Sequence, residues 1–185
     1  MRAPAWLAVL TIISAPAAAQ ARPELTTNLS LSWGRRATPP STDREAILGL
    51  GLGASLLGDR ESSSGFAAGA TLAVATMDFG ELQIAAGGAL LVPVLESFPF
   101  VVQAAPLVAL DGGAVRPGVL GRLGWGVHSF PRLGVYVLSA GVFVETRYLA
   151  AVSDRPRVLD WSVGVDLDAF ALLWPWMFLW EAIGG

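Results

Sequence analysis

Hydrophobic and polar residues alternate along much of this chain. In the stretch 159–167, LDWSVGVDL, every odd position is apolar and every even position is polar or glycine. Successive side chains of a β-strand point to opposite faces of the sheet, so this pattern predicts a strand with one apolar and one polar face. Such a strand separates two unlike environments.

A period of two recurs in seven other stretches, so the sequence predicts an all-β chain of about eight strands. The predicted strands are Leu25–Trp33, Leu48–Leu56, Phe66–Met77, Glu81–Leu91, Phe98–Leu110, Val119–Val127, Leu133–Thr146 and Val158–Leu172. Most of them reach the length of about 9–11 residues that a tilted strand needs to cross a bilayer. The segments between them contain most of the Pro, Asp, Arg and Ser residues, which is typical of loops.

The composition indicates a membrane protein. Hydrophobic residues make up 54% of the chain and charged residues 15%, whereas soluble domains contain about 25% charged residues. Such a chain has too few polar side chains to cover a surface that faces water. Its longest apolar run, 82–95, contains Pro93 and is shorter than the roughly 20 residues of a membrane-spanning helix. Strands are therefore the predicted spanning elements.

The N-terminal residues predict a secretory signal peptide. Arg2 is followed by the apolar segment 5–15, and Ala17–Ala19 has the small residues of a cleavage site. The predicted organisation is a signal peptide at 1–19 and a single barrel domain at 20–185. The chain contains no cysteine, which excludes a lipoprotein anchor, disulfides and thiolate metal sites.

These features together resemble the small bacterial outer-membrane β-barrels. The resemblance rests on the signal peptide, the even strand number, the alternation, and Trp or Phe near several strand ends. It implies a single closed antiparallel up-and-down barrel, inserted into the outer membrane of a Gram-negative bacterium by the barrel-assembly machinery. Apolar side chains would face lipid, and small or polar ones the interior. Closure is required because an open sheet edge in lipid leaves backbone groups unpaired.

Two features depart from that class. The chain ends in WEAIGG rather than in a strand with a terminal aromatic residue, and the polar faces are unusually rich in Ala and Gly. Small residues there predict a narrow, filled interior or a partly apolar cavity. A soluble periplasmic lipocalin-like barrel or a β-sandwich remains an alternative, since alternation alone does not distinguish them. Gly49, Gly51 and Gly53 favour the membrane barrel, because glycine is a poor residue for a solvated strand face.

Five polar residues are candidates for the lumen. Asp160, Asp166 and Asp168 share one face of the last strand, and Asn28 and Arg122 lie on the polar faces of earlier strands. Unpaired charges are costly in an enclosed interior, so we expect a carboxylate–arginine cluster that fills it. The alternative is a charged constriction that selects solutes.

His128 is the only histidine of the chain, and Ser129 follows it. A lipid-modifying barrel enzyme that hydrolyses or transfers acyl groups would need serine, histidine and an acid together. Adjacent strand residues point to opposite faces, which favours a structural role for His128. No catalytic residue, metal site or cofactor is predicted.

Aromatic residues indicate where the barrel would meet the membrane surface. Trp33, Trp174, Trp176 and Trp180 are predicted to form an interfacial girdle, because amphipathic rings settle at the headgroup level. The net charge of −3 and the absence of a basic patch argue against nucleic-acid binding. The predicted function is non-enzymatic and porin-like in architecture only: a structural role, binding of a small apolar ligand, or a narrow channel. A wide pore is disfavoured, because side chains normally fill an eight-stranded barrel.

Overall fold

Eight antiparallel strands form a closed barrel in sequence order. The computed structural model describes residues 23–41, 43–58, 60, 62, 64–95, 98–129, 137–153, 155–169 and 183. The strands are β1 (Glu24–Ala37), β2 (Arg44–Leu57), β3 (Ala67–Met77), β4 (Glu81–Leu95), β5 (Phe98–Asp111), β6 (Ala114–His128), β7 (Ser139–Leu149) and β8 (Val158–Asp168). The predicted single up-and-down barrel is confirmed. The predicted signal peptide and most of the aromatic tail lie outside the described residues.

The strands are staggered as they close the barrel. Backbone pairing followed from Leu25 through all eight strands returns to β1 at Arg35, ten residues further along. For eight strands, this stagger corresponds to a tilt of about 40–45° from the barrel axis. We call the end where β1 begins and β8 ends the terminal end, and the opposite end the distal end.

Two tight connections lie at the distal end. Gly112 and Gly113 have φ values of 54° and 86° and join β5 to β6, since a two-residue hairpin needs left-handed backbone that glycine adopts without strain. Asp78 links the β3–β4 turn to β2. Its backbone N–H donates to the Leu48 carbonyl oxygen at 2.8 Å, and its Oδ1 accepts from the Leu48 N–H at 2.8 Å.

Strands β1, β2 and β6 run four or five residues further toward the distal end than the alternation predicts. The segments 34–46 and 111–118 were expected to be loops because of their Arg and Pro residues, yet β1, β2 and β6 extend through most of them. The reason is that Arg36 and Arg116 point into the barrel and find partners there. Arg36 binds Asp160, and the Arg116 Nη2 donates to the Pro156 carbonyl oxygen at 2.6 Å.

The two faces of the sheet have opposite character. On β8 the odd positions face outward, with Leu159, Trp161 and Val165 exposed by 45%, 48% and 37%. The even positions Asp160 and Ser162 are buried inside. A soluble ligand-binding barrel has the reverse arrangement, with its polar face toward water. The apolar outer face therefore supports the membrane-spanning class over the lipocalin-like alternative.

The apolar surface has the height of a bilayer core. On the outer face of β2, apolar side chains run without interruption from Leu56 to Ala46. Ten residues of a tilted strand rise about 24 Å, and the apolar band of a membrane barrel is about 25 Å tall. Among the residues that the structure describes, no helix is long and hydrophobic enough to cross a membrane.

Candidate functional site: the barrel interior

The interior is filled by ion pairs at three successive levels. Glu24, Asn28 and Arg36 lie on the inner face of β1 and take part in the three groups, from the terminal to the distal end. We call them the terminal, central and distal clusters. Each joins a residue of β1 to residues from the second half of the chain, so the complete groups form only when the barrel closes.

The central cluster contains Asn28, Arg122, Glu145 and Asp166. The Arg122 Nη2 donates to both oxygens of Asp166 at 2.5 Å, and its Nη1 lies 3.6 Å from Glu145 Oε2. The Asn28 amide donates to Asp166 Oδ1 at 2.9 Å. The guanidinium carbon of Arg122 also lies 3.5 Å from the centre of the Phe143 ring, a cation–π contact. One arginine thus compensates two carboxylates.

The distal cluster contains Arg36, Glu81, Gln83 and Asp160. The Arg36 guanidinium donates to the two oxygens of Asp160 at 2.8 and 2.7 Å, a bidentate pair. It also donates to Glu81 Oε1 at 3.1 Å, and the Gln83 amide donates to the same oxygen at 2.5 Å. Arg147, the pairing partner of Asp160, binds Glu145 and so connects the distal and central clusters.

The terminal cluster contains Glu24, Arg60 and His128, all almost completely buried. The Arg60 Nε donates to Glu24 Oε1 at 2.8 Å, and its Nη2 donates to the Ser129 carbonyl oxygen at 3.2 Å. The His128 Nε2 lies 3.4 Å from Glu24 Oε2. Because Arg60 follows β2 in the chain, its side chain ties the β2–β3 connection to the ends of β1 and β6.

Space remains between the clusters because glycine lines part of the inner wall. A cavity of about 70 Å³ lies toward the terminal end beside Gly124 and Gly126. A second, of about 30 Å³, lies toward the distal end beside Gly51 and Gly53. Asn28, Gln103 and Arg122 line both spaces. The central cluster therefore lies between them.

The structure brings most of the lumen candidates together in pairs. Asn28, Arg122 and Asp166 meet in the central cluster, and Asp160 belongs to the distal cluster. Asp168 is buried on the inner face opposite Asn28 in the pairing of β8 with β1. The three aspartates do not form one group, because the rise along β8 places Asp160 about 20 Å from Asp166.

Sequence reasoning missed more than half of the interior charges. The interior residues that it did not single out are Glu24, Arg36, Arg60, Glu81, Gln83, Arg116, Glu145 and Arg147. Alternation contained a signal for several of them. Glu145 and Arg147 share the parity of the buried Phe143, and Glu81 shares that of Ala85. Arg60 had no such signal, because it lies between strands.

Exposed aromatic residues lie near both ends of the outer face. Trp33, Trp161 and Tyr148 are exposed on the adjacent strands β1, β8 and β7 toward the distal end. Toward the terminal end, the rings of Phe98 and Trp125 lie 6.2 Å apart. Trp174, Trp176 and Trp180 fall outside the described residues, so the girdle that includes them stays a prediction.

The contacts of His128 do not favour catalysis on membrane lipid. Its neighbour Glu24 is an acid, but both side chains are enclosed inside the barrel rather than on the lipid-facing surface. The Ser129 Oγ instead accepts a hydrogen bond from the Leu138 N–H at 3.0 Å. Within the described part of the chain, no group of three or more His, Asp or Glu side chains is placed to hold a metal ion.

The strand topology and the polarity of the two surfaces together define a closed eight-stranded barrel with an apolar exterior. This is the architecture of membrane-spanning barrels. No family model matches the chain, and no curated protein matches it in sequence. Among solved structures, it is similar to Neisserial surface protein A (NspA), with 10% identity, a TM-score of 0.44, and coverage of 77% of this chain and 96% of that one.

Two further structures are similar at the same level. Ail, the attachment invasion locus protein of Yersinia pestis, solved in complex with the heparin analogue sucrose octasulfate, has 8% identity and a TM-score of 0.45. The match covers 80% of this chain and 99% of that one. A structure described as de novo design of transmembrane β-barrels has 12% identity and a TM-score of 0.44, with coverage of 78% and 95%.

Proposed function

We propose that this protein is an integral barrel of the outer membrane of a Gram-negative bacterium, with a structural, non-enzymatic role and a lumen closed to free diffusion. The observation that supports this most strongly is the opposite polarity of the outer and inner faces of the barrel. Apolar side chains cover the outside of the closed sheet, while paired charges fill the inside. Hydrocarbon outside and an enclosed polar interior account for both.

Closure of the lumen follows from the contacts of the three clusters. A solute moving along the axis would have to pass Arg60 and Glu24, then Arg122 and Asp166, then Arg36 and Asp160. Separating a buried ion pair leaves charges without partners in a medium of low polarity, which costs several kcal/mol. The geometry therefore favours a structural barrel over a narrow channel.

The experiment combines localisation with conductance. Cells expressing the full chain are fractionated, and the outer-membrane fraction is run on gels with and without boiling. We expect membrane association and a faster-moving unboiled band, because a closed barrel stays compact in detergent. The purified barrel, added to planar bilayers, should give no discrete current steps, with a general porin as positive control. A soluble protein would contradict the membrane role, and ion-selective steps would contradict the closed lumen.

A second candidate is binding of a small ligand in the terminal-end cavity. The specific observation is a mixed lining, in which Leu57 and Val101 are apolar and Thr26 and Gln103 are polar. Ligand sites are commonly apolar pockets with a few placed polar groups. An apolar fluorescent probe such as N-phenyl-1-naphthylamine should then bind the folded barrel, and Gly124→Leu, which fills the cavity, should abolish binding. Equal binding by both proteins would contradict this role.

A further inference from the structure

The charges on the outer face are few and of one sign. Within the eight described strands, Arg35 and Arg44 are the charged side chains that point outward, and both lie at the distal end. Arg157 directly precedes β8 with the same outward parity as Leu159. All three are exposed, and none forms an ion pair with another described residue.

The three arginines lie at the distal ends of the neighbouring strands β2, β1 and β8. Leu159 of β8 pairs with Ala37 of β1, and Ala37 pairs with Arg44 of β2, so the group spans three adjacent strands. The Arg35 Nη1 reaches the Arg44 carbonyl oxygen at 3.4 Å. Two strand spacings separate Arg44 from the strand of Arg157, about 10 Å. This exceeds the width of a single phosphate group.

Among the described residues of β1 and β2, no acid shares the outer face with Arg35 and Arg44. Glu45 follows Arg44 on β2 and therefore has the opposite parity, toward the interior side of the strand, and Asp43 precedes the strand. Toward the membrane, Trp33 and Trp161 are exposed by 59% and 48% on the same face. Tryptophan rings favour the headgroup level, so the guanidinium groups stand at the height of lipid phosphates.

We propose that Arg35, Arg44 and Arg157 form a binding site for a phosphoglycolipid of the outer leaflet, a sugar headgroup that carries two phosphates. Guanidinium groups bind phosphate oxygens in bidentate fashion, and clusters of basic residues at the membrane surface bind anionic headgroups. Trp33 and Trp161 would contact the sugar and the first carbons of the acyl chains. The inference rests on the proposed function.

The positions of the strand ends indicate which leaflet of the membrane the three arginines face. Both β1 and β8 meet the terminal end, so a barrel that inserts from the periplasm has to move only its hairpins across the hydrocarbon layer. Its distal end, with the three arginines, then faces outward. A headgroup with two phosphates is favoured over a glycerophospholipid, because the three arginines extend over more than the width of one phosphate.

The test uses the full chain, matured in cells, purified in neutral detergent and titrated with defined lipids under native mass spectrometry. The probes are lipid A with two phosphates, the same lipid without phosphates, and phosphatidylglycerol. We expect the two-phosphate lipid to bind about tenfold more tightly than the others. In the triple variant Arg35→Gln, Arg44→Gln, Arg157→Gln, its affinity should fall about tenfold or more.

Arg155→Gln is the matched control. Arg155 is a distal-end arginine that pairs with Asp111 at 2.9 Å, and its loss should leave lipid binding unchanged. Unchanged binding by the triple variant, or equal binding of phosphatidylglycerol by the wild type, would overturn the proposal. A gel with unboiled samples shows independently whether each barrel folds. If the triple variant does not, the three single variants are titrated, and full affinity in all of them overturns the proposal.

Discussion

Gly124 and Gly126 lie two residues apart on the inner face of β6, and their surroundings differ. A Cβ atom added to Gly126 would overlap the carbonyl oxygen of Ala140 and the Cα of Gly141 on β7, both backbone atoms. A Cβ at Gly124 would meet its nearest atom, the Val101 carbonyl oxygen, at 3.7 Å, which is an ordinary contact. The absence of a side chain is thus a packing requirement at one position and not at the other.

The variant Gly126→Ala should therefore lower the free energy of unfolding by about 1–3 kcal/mol, because the strands must move apart to admit the methyl group. Gly124→Ala should change it by less than about 0.5 kcal/mol. Urea titration of the barrel in lipid vesicles, followed by tryptophan fluorescence, measures both. Equal effects of the two substitutions would contradict the packing described for β6.

Arg122 compensates more charge than any surface arginine. The variant Arg122→Ala leaves Asp166 without its guanidinium partner and removes one of the two arginines that pair with Glu145, which should cost about 3–5 kcal/mol of unfolding free energy. The matched control is Arg155→Ala, whose partner Asp111 is partly exposed, with an expected cost of about 0–1 kcal/mol. The same urea titration compares them. A loss at Arg122 no larger than that at Arg155 would mean that the central cluster does not stabilise the barrel.

Two substitutions on β2 test whether its outer face contacts lipid. Leu52 lies near the middle of its apolar outer face, and Ala46 lies at the distal rim, both exposed. Leu52→Arg should destabilise the barrel in vesicles by about 2–4 kcal/mol, and Ala46→Arg by about 0–1 kcal/mol, because the cost of a charge depends on depth in the bilayer. Refolding midpoints in vesicles give both values. A barrel surrounded by water would show no difference between the two positions.

The strands were predictable because the alternation of apolar and polar residues lies within each strand's own sequence. Alternation in 159–167 and in LGLGLG located β8 and β2 before any pairing was known. The strand ends were less predictable, since Arg36 and Arg116 resemble loop residues in sequence. Their place inside a strand depends on acceptors from β8 and from the segment that precedes it, and local sequence does not contain that information.

At the scale of the whole molecule, the lumen contacts depend on closure and stagger. Asp160 and Asp166 were expected inside, and they are on the inner face. Their particular partners follow from the register: Arg36 lies opposite Asp160 across the closing β1–β8 pair, and Arg122 reaches Asp166 across β7. A stagger two residues larger or smaller would leave the same residues facing inward with different neighbours. Sequence alternation specifies which face a residue occupies, and the closed register specifies what it touches.

The central claim is that the odd positions of 159–167 face hydrocarbon while the even positions face an enclosed interior. The chain has no cysteine, so single cysteines introduced along this stretch can each carry a nitroxide spin label without a background. In vesicles, collision rates with dissolved oxygen and with a water-soluble nickel chelate report the surroundings of each label. We predict high oxygen and low nickel accessibility at Val163, Val165 and Leu167, and low accessibility to both at Ser162 and Asp166. Nickel access to the odd positions equal to that of a label at Asp43 would contradict the membrane assignment.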